Sequence, residues 1–230
     1  MSVYGGPEVV NSGLVLCLDA ANPKSYPGSG TTWTDMSGLG NHGTLTNGPT
    51  YDANNAGSIV FDSVDDLVLV NSSLSIPYGS SARSVSVWFF TNSTTWVDNV
   101  NTLFFYGAGS TGQAFGIDMQ SFPTMEVFTW GRDIVFSTTF AQTGWKNIFV
   151  TYDGSTTILI YENSVFTRTL SLSAACSTPN SSVYIGAINP SALAGGYYDG
   201  KISNVSIYNR ALSAAEVSQN FNALRGRYGI

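Results

Sequence analysis

Breaking a glycosidic bond takes two carboxyl groups that flank it, and acyl transfer through serine or cysteine takes a histidine to carry the proton. This chain is poor in both. Its glutamates are Glu8, Glu126, Glu162 and Glu216, and no strand-like segment alternates Glu, Asp and Glu. His42 is the single histidine and sits in the turn Gly40-Asn41-His42-Gly43, where bonding to neighbouring backbone is the expected role. Gly107-Ala108-Gly109-Ser110-Thr111-Gly112 spells a dinucleotide fingerprint, but a strand follows it where the phosphate would need a helix N-terminus, so it reads as a hairpin loop.

One carboxyl pair has a spacing that matters. Asp118 and Glu126 are equidistant from a turn centred on Phe122-Pro123, which places them directly opposite one another on a hairpin. Three readings stay open for them: an acid/base couple, half of a cation site, or two solvated charges, since a slip of one residue would send them to opposite faces. Asp35, Asp62, Asp65 and Asp66 fall in loops or at strand ends, where carboxylates either cap turns or offer hard oxygen ligands to a cation such as calcium; no EF-hand spacing is present. Flat rings near strand ends suit the apolar face of a pyranose while polar neighbours bond its hydroxyls. On that ground Trp96, Trp130, Arg132, Tyr197 and Tyr198 are the candidate ligand-binding residues, with core packing or a subunit contact as the competing role for each.

The elements that must position these residues are strands. Only 10% of the 230 residues are charged, Gly numbers 24, and Ser, Thr and Asn are abundant, a composition for many short strands joined by tight turns. Apolar runs predict strands over Leu14 to Asp19, Ser58 to Phe61, Leu67 to Val70, Ser84 to Thr91, Leu103 to Tyr106 and Ala114 to Gln120. Six more follow, over Met125 to Trp130, Ile134 to Ser137, Trp145 to Tyr152, Thr157 to Glu162, Ser182 to Ile188 and Lys201 to Tyr208. In Ser84-Val85-Ser86-Val87-Trp88-Phe89 the period of two assigns Val85, Val87 and Phe89 to the core. Asp153-Gly154 joins two apolar runs as a hairpin. Near the end, Ser213 and Glu216 form a capping box that starts a helix at Ala214; Val217, Phe221 and Leu224 share its buried stripe, and Gly226 stands at its left-handed C-cap.

The net charge of -6 with scattered Lys and Arg argues against nucleic acid, and no segment has the length of a membrane span or the pattern of a signal peptide. Synthesis as a soluble cytosolic product is the expectation, with Cys17 and Cys176 as unbridged thiols.

Several blocks together resemble a known family. Gly13 to Ala20, Trp33 to Leu45, Ile59-Val60-Phe61-Asp62 with Asp65-Asp66, Trp145 with Val150 to Gly154, Ile185-Gly186-Ala187 and Asp199 to Ser213 are similar to the landmarks of laminin G-like, concanavalin A-like lectin/glucanase jelly-roll domains. The resemblance implies an all-β, two-sheet antiparallel jelly-roll sandwich over residues 13–230 with one short C-terminal helix, preceded by an arm at 1–12. It implies a binding module for carbohydrates or proteins, with calcium at a loop rim in many members. The short, free-standing form is similar to structural proteins of tailed marine phages, so the expected role is a non-catalytic virion structural or attachment module that binds glycans or neighbouring virion proteins, located in the virion, with homo-oligomers allowed. An independent soluble lectin is the alternative, and a glycoside hydrolase the next. Ser203 and Asn204 stand where the family usually carries acidic residues, and Cys17 where it carries an aromatic or aliphatic one.

Overall fold

The computed structural model describes residues 7–92, 101–189 and 196–230. Along the chain the first strands are β1 (Leu14–Asp19), β2 (Thr32–Trp33), β3 (Gly43–Thr46), β4 (Thr50–Asp52), β5 (Ser58–Asp62), β6 (Leu67–Val70), β7 (Arg83–Thr91) and β8 (Asn101–Gly107). Next come β9 (Ala114–Met119), β10 (Thr124–Phe128), β11 (Ile134–Ser137), β12 (Gly144–Tyr152), β13 (Thr157–Glu162), β14 (Val165–Ser171), β15 (Val183–Ile185) and β16 (Asp199–Tyr208), then helix α1 (Ala214–Leu224).

These strands form two antiparallel sheets. The first runs β14-β13-β12-β7-β16-β5-β4, with β1 also paired to β16; the second runs β11-β10-β9-β8-β15-β6-β3-β2. The sandwich is the expected one, but it holds sixteen strands among the described residues where sequence periodicity predicts twelve. The additions are β2, β3, β4 and β14. The first three are too short to show a period, and β14 is an outer strand whose Val165 and Phe166 face solvent, which erases the apolar alternation.

Inward residues of both sheets make one core. Val85, Val87 and Phe89 of β7 meet Phe115, Ile117 and Met119 of β9 and Met125 and Val127 of β10 in a single buried cluster. Because side chains alternate, the intervening residues of β9 and β10, Gly116, Asp118, Glu126 and Phe128, point to the outer face of the second sheet.

The outer face of the first sheet is covered in part, with a cavity of about 370 Å³ left between the N-terminal segment, β1, β16 and the end of α1. Trp88 stacks on Phe221 and Tyr228, with ring centroids 5.3 and 4.2 Å apart, so α1 closes the sheet around Trp88. The capping box at Ser213 and Glu216 is present, and Arg210 grips the same glutamate with two hydrogen bonds of 3.0 and 2.6 Å. The expected C-cap moves: the chain stays right-handed at Arg225 and winds into a 3-10 turn over Arg225–Arg227, and the left-handed glycine is Gly229. The described part of the N-terminal segment lies on the helix, where the Val10 N–H donates to Asn220 Oδ1 (2.7 Å). Both cysteines are buried and unbridged. Among the described residues no helix is long and apolar enough to cross a membrane.

Candidate functional site

On the outer face of the second sheet, Asp118 and Glu126 are direct cross-strand partners in the β9–β10 hairpin, as their spacing predicts. A bulge in β8 brings a third residue into line. Leu103 is the extra residue there, and it turns Thr102 outward to pair with Asp118 while Phe104 still faces the core opposite Ile117. Beside them the face is aromatic. Phe128 lies so close over Gly116 that a Cβ at that position would stand 2.1 Å from its ring. Phe105 stacks on Phe128 at 5.4 Å, and Tyr184 leans on Phe105 at 6.2 Å.

These groups bound a recess of about 230 Å³. Asp118 and Glu126 form its floor; Phe128, Trp130 and Ile188 form its walls; Gly131 and Asp133 stand at its rim. Trp130 and Gly131 make the turn from β10 to β11, both with left-handed backbone, at φ 59° and 72°. Tryptophan is costly in that conformation, and here the turn is bolted in place. Asp133 accepts from the N–H groups of Thr129 (2.9 Å) and Gly131 (3.1 Å), and the Trp130 carbonyl accepts from the Gly112 N–H (2.9 Å). The indole rests on Gly109, where a Cβ would come within 2.9 Å of it, and remains half-exposed.

The floor is electrostatically unusual. Asp118 is 2% exposed, and its Oδ1 has no hydrogen-bond partner among the described residues. Burial pushes its carboxyl well above the usual carboxylate range; the Thr102 hydroxyl offsets this in part without reaching hydrogen-bonding geometry, and the charges of Glu126 and Asp133 add to the rise. Glu126 is half-buried, accepts from Gln120 Nε2 (2.8 Å), and is raised by burial and by Asp133. Two carboxyls whose ionisation is disfavoured, Asp118 the more strongly, therefore sit side by side under an aromatic wall.

The other predicted ligand residues fare differently. Tyr198 is a correction: it is fully buried, packs edge-on against Phe61 and donates its hydroxyl to the Phe90 carbonyl (2.7 Å), so it offers no platform. Arg132 turns away from the recess, lying along Gly112 and donating to the Ala175 carbonyl (3.3 Å). Tyr197 is half-buried ahead of β16 and is not part of the recess wall among the described residues. Trp96 lies outside the described residues. Phe128, Asp133 and Ile188 escape sequence reading. Glu126, Phe128 and Trp130 do recur at a period of two, which is the signal that could have marked Phe128; Ile188 arrives from the far side of the sheet with none.

The predicted metal ligands divide. Asp62, Asp65 and Asp66 bring carboxylate oxygens within 4.8 Å of one another after β5, and Asp66 is buried, its carboxyl pushed to about 6 by that burial and by the neighbouring Asp62 and Asp65 charges. This donor set fits a hard divalent cation. Asp35 is a correction: its two oxygens already accept from the N–H groups of Cys17, Ser37 and Asn41 and from the Ser37 hydroxyl, so it is a buried brace between β1 and the loop after β2. His42 serves the same brace, its Nδ1 accepting from the Asp35 N–H (3.0 Å), the backbone role expected of it.

Residues 62–218 match the laminin G family described as the concanavalin A-like lectin/glucanases superfamily. No curated protein matches the chain. Among solved structures, the binding domain of Paraclostridial Mosquitocidal Protein 1 is similar in fold, with a TM-score of 0.69 at 17% identity over 92% of this chain and 52% of that one. The binding domain of botulinum neurotoxin DC in complex with rat synaptotagmin II reaches a TM-score of 0.70 at 16% identity over 94% and 52%. A structure of botulinum neurotoxin type C, whose cell entry is dependent upon interaction with two ganglioside molecules, gives a TM-score of 0.69 at 16% identity over 94% and 52%. The chain spans about half the length of each.

Proposed function

Because this chain belongs to the concanavalin A-like lectin/glucanases superfamily, we propose that it is a non-catalytic recognition module whose ligand is a glycan seated in the recess over β9 and β10. The observation that carries this reading is Trp130, a half-exposed ring held at φ 59° beside a cluster of polar groups, since a strained residue kept at the mouth of a cavity is the mark of a ligand clamp. Ring stacking on a pyranose and carboxylate acceptors for its hydroxyls are the two contacts such a site needs, and both are within one recess. Two of the similar structures named above, those of Paraclostridial Mosquitocidal Protein 1 and of botulinum neurotoxin DC, are of binding domains, which supports recognition over catalysis.

A glycan-array screen followed by calorimetric titration of the hits tests the reading. Saturable binding lost in Trp130→Ala supports it; an array without hits, or hits indifferent to that change, would overturn it. Release of reducing ends from a polysaccharide, abolished in Glu126→Gln, would instead assign hydrolysis to the same pair.

Two finer proposals accompany it. The module serves attachment in a phage particle, and mass spectrometry of purified particles should then contain the chain. A calcium ion occupies the Asp62, Asp65 and Asp66 cluster, relieving the repulsion that holds the Asp66 carboxyl up; at pH 7 millimolar calcium should raise Tm, and Asp66→Asn should remove the effect.

A further inference from the structure

The chemistry of the recess floor narrows the ligand further, an inference that rests on the glycan reading. Asp118, Glu126 and Asp133 contribute three carboxyls to the lining, and no Lys or Arg joins them among the described residues. Arg132, the cation nearest in sequence, points to the Ala175 carbonyl instead. A sugar hydroxyl can donate one hydrogen bond to such a floor but cannot offset its charge. A positive group does both, and the acidic lining of a partly dry recess is the local reason for one to bind.

The recess is not built like a metal site. Among the described residues Asp62, Asp65 and Asp66 form a group of three whose carboxylate oxygens all lie within 4.8 Å of one another; Asp118, Glu126 and Asp133 form no second such group, and they share their cavity with Phe128, Trp130 and Ile188. A cation with apolar surface of its own fits that mixture, because the half-exposed indole of Trp130 can take both an apolar ring face and the edge of a positive charge. The buried Asp118 supplies the independent sign of a missing partner. Its Oδ1 is shielded from solvent and makes no hydrogen bond among the described residues, so this carboxyl bears a desolvation cost that the nearby Thr102 hydroxyl offsets only in part.

We propose that the recess recognises an amino sugar with a free amine, the ammonium held by Glu126 with Asp118 beneath it and the sugar ring laid against Trp130. The ammonium arrives carrying its charge and favours the ionised form of Asp118; the proton that this buried carboxyl retains passes to solvent, and the carboxylate so formed completes the ion pair. The titratable groups facing Asp118 are Glu126 from β10 and Asp133 from the β10–β11 turn; β8 presents Thr102, which does not titrate.

The test is calorimetry at pH 6 with β-1,4-linked glucosamine tetramer and with the fully N-acetylated tetramer, each in two buffers of different ionisation enthalpy. The free-amine oligomer should bind at least about tenfold tighter, as expected of a partly desolvated ion pair with a cation–π contact, and should release protons to the buffer on binding. In Asp118→Asn the proton release should vanish, and in Glu126→Gln the preference for the free amine should vanish while N-acetyl binding persists. Equal affinity for the two oligomers would overturn the amino-sugar inference and leave the glycan reading standing. Binding of neither would also overturn it, and the glycan reading would then be decided by the wider array.

Discussion

Trp130 occupies a backbone conformation that suits glycine, and the molecule spends Asp133 and the Gly112 N–H on keeping it there. A bulky residue at such an angle costs on the order of 1–3 kcal/mol. Trp130→Gly should therefore leave Tm close to that of the native protein, relief of strain offsetting the lost packing on Gly109, while ligand binding disappears. Thermal melts and titrations on the same sample check this, and a fall in Tm as large as that of a core truncation would make Trp130 a packing residue. Asp118 makes a second prediction at this scale. Its folded-state pKa lies above the unfolded one, so across the interval between them the folded chain holds a proton that the unfolded chain has lost, and stability falls as pH rises from about 4. Asp118→Asn removes that loss. The variant should melt above the native protein at pH 8, with the gap shrinking toward pH 4; a gap that did not change with pH would contradict the raised pKa of Asp118.

At the scale of elements, the β9–β10 hairpin and the bulge in β8 build the site. Gly116 lets Phe128 lie flat on the sheet, and Gly116→Ala would drive a Cβ into that ring. The expected result is a loss of roughly 1–3 kcal/mol of stability from overpacking, with Phe128 pushed into the recess and ligand affinity reduced beyond what the stability loss explains. Chemical denaturation and titration of the folded fraction separate the two. The hairpin was legible in the sequence because Asp118 and Glu126 are symmetric about Phe122-Pro123, and the structure gives them the predicted register. The terminal helix was legible from its capping box, though its end was not: Gly226 looks like a left-handed cap, yet the stacking of Tyr228 on Trp88 draws the chain on for another turn. Strands β2, β3 and β4 were not legible, being two to four residues long, poor in aliphatic side chains and held by pairing to their neighbours.

For the whole molecule, the two faces of the sandwich are unequal. Helix α1 and the segment before β1 cover the first sheet around Trp88 and leave a cavity beside Cys17, Asp19, Asn204 and Arg227, whereas the second sheet keeps an aromatic-walled recess above Asp118 and Glu126. Composition and strand period reveal that two sheets exist. They carry no record of which parts of the outer faces stay open, since that depends on where a helix lands some 130 residues after Trp88. For the same reason Tyr198 reads as exposed beside Tyr197 until the fold closes over it, and Asp35 reads as a metal ligand until the loop folds back to saturate its oxygens. The claim that joins these scales is that one recess, walled by Trp130, is the ligand seat. An NMR titration of the five indole N–H resonances with the best array ligand tests it most directly. The account predicts a saturable shift of the Trp130 resonance, with those of Trp88 and Trp145 beneath the C-terminal segment unmoved; saturable shifts at Trp88 and Trp145 with Trp130 silent would contradict it.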